Sequence, residues 1–177
     1  MRKPRAVVNA GWAECDLPQY HAFETLRDEL EALREAETVH AVLLRGPAFG
    51  GADAAIDEGD CRWLERFELP TLFLFDGELA GAALQVALSC DIRVCGPGAS
   101  FRLPIGSRRS LQLIGLGASA DLLAGRGRVN AEQALAVGAV SYVGESSEAA
   151  IEEARRLAAV IASRGPIAER LAKEAIW

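Results

Sequence analysis

Thr71-Leu72-Phe73-Leu74-Phe75-Asp76-Gly77-Glu78-Leu79-Ala80-Gly81-Ala82-Ala83-Leu84-Gln85-Val86-Ala87-Leu88-Ser89-Cys90-Asp91 is the stretch on which the fold turns. Residues 71–75 are a continuous apolar run, the pattern of a strand covered on both faces. Asp76-Gly77 turns the chain. Gly81 to Ser89 is nearly all apolar, so it predicts a short buried helix. Asp91 to Cys95 predicts the next strand, and Gly96-Pro97-Gly98 ends it.

The same alternation runs outward in both directions. Residues 5–9 (Arg-Ala-Val-Val-Asn) predict a short strand. Asp16 predicts a helix start, with Pro18 in the first turn and Gln19 three residues on. Phe23, Leu26, Leu30 and Leu33 give that helix one apolar face. His40 to Arg45 predicts a buried strand that Gly46-Pro47 ends. A glycine-rich turn, Phe49 to Asp53, then leads to a short helix ending near Phe67, and Leu69-Pro70 breaks the chain.

Past residue 111 the chain predicts mostly helix. Residues 111–124 are apolar but interrupted by Gly115 and Gly117. Asn130 predicts a cap, with Gln133 at the third position and Gly138 closing the helix. Val140 to Val143 predicts a short strand. Ala150, Ile151, Ala154, Leu157, Ala158 and Ile161 mark an amphipathic helix from about Ser147, and Gly165-Pro166 separates it from a last one. Apolar strands alternating with helices predict an α/β fold in one domain. The C-terminal helices carry more apolar surface than a lone pair leaves exposed, which predicts a subunit contact.

The bulk numbers narrow the function. The chain has 177 residues, half of them apolar and a quarter charged, which is a globular composition. A net charge of −6 argues against nucleic acid as a partner. No run approaches the ~18 apolar residues of a membrane span, and no signal-peptide core follows the basic start. The expected compartment is therefore the cytoplasm. Cys15, Cys61, Cys90 and Cys95 form no C-x-x-C pair, so thiols in a reducing compartment are expected and no metal site is.

Two strand-to-helix turns carry the chemical interest, at Gly50-Gly51-Ala52-Asp53 and at Ala80-Gly81-Ala82-Ala83. Each has a plain reading: the first as a tight turn needing positive φ, the second as a helix packed closely on its neighbours. Each also has a functional reading. The N–H groups at a helix start are unused donors, and small residues leave room beside them. Two such turns aimed at one point make an oxyanion hole, which stabilises charge developing on a carbonyl oxygen.

These segments resemble the crotonase (enoyl-CoA hydratase/isomerase) superfamily. Its first motif reads Ala-Phe-(Ser/Cys)-Ala-Gly-Ala-Asp; this chain has Ala48-Phe49-Gly50-Gly51-Ala52-Asp53, one residue shorter. Its second, Asn-Gly-x-(Ala/Cys)-x-Gly-Gly-Gly-x-Glu-Leu-Ala-Leu-Ala-Cys-Asp, is matched without a gap from Asp76 to Asp91. Phe101-Arg102-Leu103-Pro104, Leu122 to Gly138 and Ala168 to Ala175 resemble later family segments in the right order. The resemblance implies a ClpP/crotonase-like spiral of ββα units. It implies one domain over residues 1–177, with the spiral core at 1–105 and a helical C-terminal oligomerisation region at 106–177. It further implies an acyl-CoA thioester as partner, a homotrimer or hexamer, and fatty acid or polyketide metabolism as setting. Coenzyme A enters only as part of the substrate, with no permanently bound cofactor. Carried over by position, the oxyanion donors are the N–H groups of Gly50 and Ala82, with Gly51 as the alternative to Gly50. Gly51, Ala52, Asp53 and Gly81 line the same thioester site.

The chain departs from the family where hydratases keep two carboxylates. Those positions are Gln85 and Ile105 here. Gln can hydrogen-bond a water but takes no proton at neutral pH, and Ile does neither. Three readings stay open: an enzyme that needs only the oxyanion hole, such as an acyl-CoA decarboxylase or thioester hydrolase; a non-catalytic acyl-CoA-binding or partner subunit; and residual hydratase chemistry on a water held by Gln85. Asp53, Asp57, Glu58, Asp60 and Asp76 are the acids considered as helpers. Arg108, Arg109, Arg126 and Arg128 either meet CoA phosphates or form a solvated face. Gly115-x-Gly117-x-x-Ala120 matches a dinucleotide fingerprint only on paper. His21 and His40 have no nucleophile elbow to serve.

Overall fold

Short apolar runs free of turn residues become parallel strands here, because helices cover both of their faces. The computed structural model describes residues 6–17, 22–46, 56–101, 108–123 and 128–176. The chain opens with β1 (Val7–Val8) and β2 (Trp12–Asp16). Then come α1 (Phe23–Glu35), β3 (Ala41–Arg45), α2 (Glu58–Glu65) and β4 (Thr71–Phe75). β5 (Glu78–Leu79), α3 (Gly81–Ser89), β6 (Ile92–Cys95), β7 (Ser100–Phe101) and α4 (Arg108–Leu123) follow. β8 (Val129–Asn130), α5 (Ala131–Ala136), β9 (Tyr142–Val143), α6 (Ser147–Ala162) and α7 (Pro166–Ile176) complete the order.

One sheet has the order β1-β2-β3-β4-β6-β9, with only β1 antiparallel to its neighbour; a second has the order β5-β7-β8. Two successive turns of the chain, β4-β5-α3 and β6-β7-α4, each lay a strand in the large sheet, a short strand in the small one, and then a helix. Leu72 pairs with Ile92 while Glu78 pairs with Ser100, so one ββα turn stacks directly on the next. This is the expected spiral.

Side chains alternate across the large sheet. Val42, Leu44, Phe73 and Phe75 pack against Phe23, Leu26 and Leu30 of α1 and the apolar side of α3. Leu43, Leu72, Leu74 and Val94 face the other way, onto Ala150, Ala154 and Ala158 of α6. Those alanines sit four residues apart on one helix stripe, and their small size lets the helix lie close to the strands.

The N-terminal expectation needs correction. Asp16 does not start a helix: it ends β2, and α1 begins at Phe23. Gly11, at φ +83°, turns β1 back along β2, and the Asn9 N–H donates to the Trp12 carbonyl at 2.7 Å. Asp16, which read as a helix start, and Glu14 before it are matched by distant arginines. Arg155 donates to both Glu14 oxygens at 3.0 and 3.1 Å, and Arg45 Nε to Asp16 at 2.8 Å. The first strand is also shorter than expected. Elsewhere the helix signals match the coordinates. Asn130 and Gln133 cap each other's N–H groups at 2.9 and 3.1 Å, and Gly138 leaves the helix at φ +77°. Among the described residues no helix is long and apolar enough to cross a membrane.

The last helix is tied down by a buried ion pair. Lys173, 7% exposed, reaches Asp91 at 2.8 Å and donates to the Leu69 carbonyl at 3.1 Å. Asp91 also accepts from the N–H and hydroxyl of Thr71 at 2.7 and 2.9 Å. Lys173→Met keeps the apolar stem and strands the carboxylate, so it is expected to cost about 3 kcal/mol of stability. Urea unfolding measures this; a loss below roughly 0.5 kcal/mol, the scale of an ordinary surface change, would show that the pair contributes little.

Candidate functional site

β4 ends at Phe75, and the chain must then reverse to start α3. Asp76 fixes the turn: its carboxylate accepts from the Gly77 N–H at 3.0 Å and from the Ser147 hydroxyl of α6. The carboxylate lies against Gly96 so closely that a side chain there would collide with it. Gly77 takes φ +92° and Gly81 φ +56°, a region that other residues occupy at a cost. Ala80 is extended and offers no side-chain cap. The first N–H groups of a helix have no intrahelical acceptor, so this start presents donors. A Cβ placed on Gly81 would meet no described residue within 4 Å.

Around α3, Ala83, Leu84, Val86, Ala87 and Leu88 are buried. Ala82 and Gln85, three residues apart and both half-buried, lie on the side toward the surface. Gln85 and Ser89 line a cleft of about 330 Å³, with Cys61 and Glu65 of α2 opposite and Arg108 and Arg109 of α4 alongside. Asp57 and Glu58 line it as well.

Glu65 is the unexpected group. It is 4% exposed. Its Oε2 accepts from Arg108 Nη2 at 2.6 Å. Its Oε1 lies 4.0 Å from Arg109 Nε and has no hydrogen-bond donor among the described residues. A buried acceptor left in that state costs about 1–3 kcal/mol. Arg109 Nε donates instead to the Leu88 carbonyl at the end of α3, at 2.8 Å. Burial pushes the Arg109 guanidinium down to about 10, helped by nearby Arg93, so it is still charged at neutral pH. Burial raises the Cys61 thiol, opposed by its hydrogen bond with Ser89.

The structure thus places Gly81, Ala82 and Gln85 on one helix face, of which Gln85 lines the polar cleft. Gly50, Gly51, Ala52, Asp53 and Ile105 lie outside the described residues, as do His21 and Arg126. The other acids considered are occupied. Asp57 and Asp60 form a reciprocal cap at the start of α2, at 2.8 and 3.2 Å, and Glu58 pairs with Arg62 at 2.5 Å. Arg128 pairs with Glu78 at 2.5 Å on the surface. Gly115 sits inside α4 at a kink, with helix on both sides, so it opens no strand-to-helix phosphate loop. His40 borders a different cleft of about 360 Å³, where Arg34 and Arg170 both approach Glu68 at 3.9 Å. Sequence reading passed over Glu65, although its spacing was a signal: it follows Cys61 by four residues and adjoins buried Leu64, on the inward side of α2.

No protein-family model matches the sequence. Over 127 residues it is 33% identical to a probable enoyl-CoA hydratase 2, mitochondrial, of Arabidopsis thaliana, covering 64% of this chain and 41% of that one. Over 125 residues it is 33% identical to a short-chain-enoyl-CoA hydratase of Clostridium acetobutylicum, covering 65% and 48%. The chain thus spans less than half the length of these two relatives. An enoyl-CoA hydratase/isomerase crystal structure from Pseudoalteromonas atlantica superposes with a TM-score of 0.81 at 23% identity, over 97% of this chain and 81% of that one. At that identity the likeness is one of fold.

The cysteines offer a direct probe of the cleft. Cys15, Cys90 and Cys95 are buried, and burial pushes the Cys90 and Cys95 thiols up to about 12, whereas Cys61 borders the cleft. Thiolate is the reactive form, so iodoacetamide at pH 8 is expected to label Cys61 before the other three. Mass spectrometry of the native protein reads the order; early labelling of Cys90 or Cys95 would contradict the packing described.

Proposed function

We propose that this chain, which belongs to the crotonase superfamily, binds an acyl-CoA thioester through a backbone oxyanion hole and lacks the standard hydratase chemistry. The observation that carries the reading is the start of α3, where no described residue packs within 4 Å of a Cβ at Gly81 and Gln85 lies one turn further along. In this reading the Ala82 N–H is one donor and the N–H of Gly50, or of Gly51, is the other. Ala82 serves as well as glycine would, because the donor is main chain. Gln85 and Ile105 stand where a hydratase needs two titratable groups, and neither moves a proton at neutral pH. Coenzyme A arrives with the substrate and no cofactor is resident.

The same reading makes the chain a homo-oligomer, a trimer or hexamer built through its C-terminal helices. Leu116 of α4 is 78% exposed and Ile167 of α7 66%, with Leu171 beside it, and such side chains support a subunit contact. The free thiols of Cys61, Cys90 and Cys95 support a reducing compartment, hence the cytoplasm.

Two measurements test the site. Calorimetry with a panel of acyl-CoAs is expected to detect binding, while hydration of a short enoyl-CoA runs about 10²- to 10⁴-fold below an ordinary hydratase, the usual worth of general acid–base groups. Absence of any binding would end the thioester assignment; an ordinary hydration rate would end the claim of lost chemistry. Ala82→Gly is expected to leave thioester turnover intact. Ala82→Pro removes the N–H at a position where the helix does not use it, and is expected to lower turnover about 10²- to 10³-fold. Melting temperature of both variants checks that the fold survives.

A further inference from the structure

The last helix, α7, has 11 residues, and an isolated helix that short is marginal in water. It persists only if the body of the protein holds it. The apolar core does not: among the described residues, no α7 side chain joins the cluster around α1 and α3 or the one beneath α6. From Ile167 to Ala175 every side chain is exposed except half-buried Glu169 and buried Lys173. Two clefts, of about 360 and 290 Å³, open between α7 and residues 66–70, and Glu68 and Arg170 line both. Arg170 stands 3.9 Å from Glu68, beyond hydrogen-bond range, and both side chains are about half exposed; such a pair contributes little. Lys173 is the exception. Its Nζ lies 2.8 Å from Asp91 and donates to the Leu69 carbonyl at 3.1 Å. With apolar burial absent, one buried ion pair carries the docking.

We propose that α7 is a hinged arm, which leaves the body as one unit about Gly165 without global unfolding, and that the Lys173–Asp91 pair is its latch. Gly165 suits the joint, since a Cβ there would meet no described residue within 4 Å. The Asp91 side chain is already 19% exposed with the arm docked. When Lys173 withdraws, water reaches that carboxylate, and Thr71 still donates to it through its N–H and hydroxyl. The ammonium of Lys173 reaches water on its own long stem. Opening therefore strands no charge, whereas removing the lysine from the closed form leaves a carboxylate beside an apolar stem. Opening also bares little of the core, because α1, α3 and α6 keep the sheet covered. Local openings of this kind lie at the low end of a protein's range of stabilities.

The experiment is hydrogen exchange of the full chain in rising urea, read by mass spectrometry on peptides. The slope of opening free energy against urea scales with the surface exposed, so the α7 peptide is expected to show less than about a third of the slope of the peptide holding Thr71–Phe75. Lys173→Met is expected to speed α7 exchange at least about 10-fold. Arg170→Gln, which cuts only the exposed pair, is expected to change it less than about 3-fold. An α7 peptide with the slope and protection of Thr71–Phe75 overturns the arm, whatever the size of the particle in solution. Exchange unchanged by Lys173→Met, or changed as much by Arg170→Gln, overturns the latch. Should Lys173→Met not fold, the wild-type slopes still decide whether the arm exists. Lys173→Gln, which can still donate to the Leu69 carbonyl, then decides the latch by the same two outcomes.

Discussion

Everything in this molecule follows from a strand that water cannot reach. Thr71 to Phe75 is buried along its whole length, flanked by parallel neighbours on both edges and by helices on both faces. Its main-chain groups are satisfied within the sheet, as buried backbone must be. The chain can leave such a strand only at its end, through Asp76-Gly77, and the geometry of that exit sets where α3 begins. The candidate site is thus a by-product of sheet packing: the helix start points where the strand's end directs it.

Polar residues in this interior are admitted only in matched sets. Glu14 in β2 meets Arg155 and Arg45. Arg93 in β6 gives its N–H groups to the Ala139 and Cys90 carbonyls at 2.7 and 2.6 Å. Asp91 joins Thr71 to Lys173. Each set links elements far apart in the chain, so each helps to specify which helix covers which strand. Glu65 departs from the rule, since one oxygen is matched and the other is not. An exception to so consistent a pattern draws attention to the place where it occurs.

How much of this was legible beforehand depended on whether the signal was local. Thr71–Phe75, Gly81–Ser89 and the Asn130–Gln133 cap were readable because apolar runs, glycine turns and reciprocal caps are decided within a few residues. Trp12–Asp16 was not, because its acidic residues are neutralised by arginines on β3 and α6 that no local window contains. The site divides the same way. Gly81, Ala82 and Gln85 came from one contiguous motif and do share a helix face. Glu65 belongs to a different helix and reaches the cleft through the packing of α2 on α3, so its spacing marks it as inward-facing but names no partner for it. The Gly50–Asp53 and Ile105 positions fall beyond the described residues, and their part rests on resemblance.

Arg109 occupies a position with two dependents. One nitrogen holds the carbonyl that ends α3, and the same guanidinium stands beside the unmatched oxygen of Glu65. Both contacts are made through Nε, so a substitution at 109 disturbs them together. Evolutionary drift at residue 109 is therefore constrained in a coupled way: an exchange that suits the helix end also resets the electrical surroundings of the cleft. Changes at 65, 108 and 109 should arise together in lineage history rather than one by one, and that covariation would be the footprint of the arrangement.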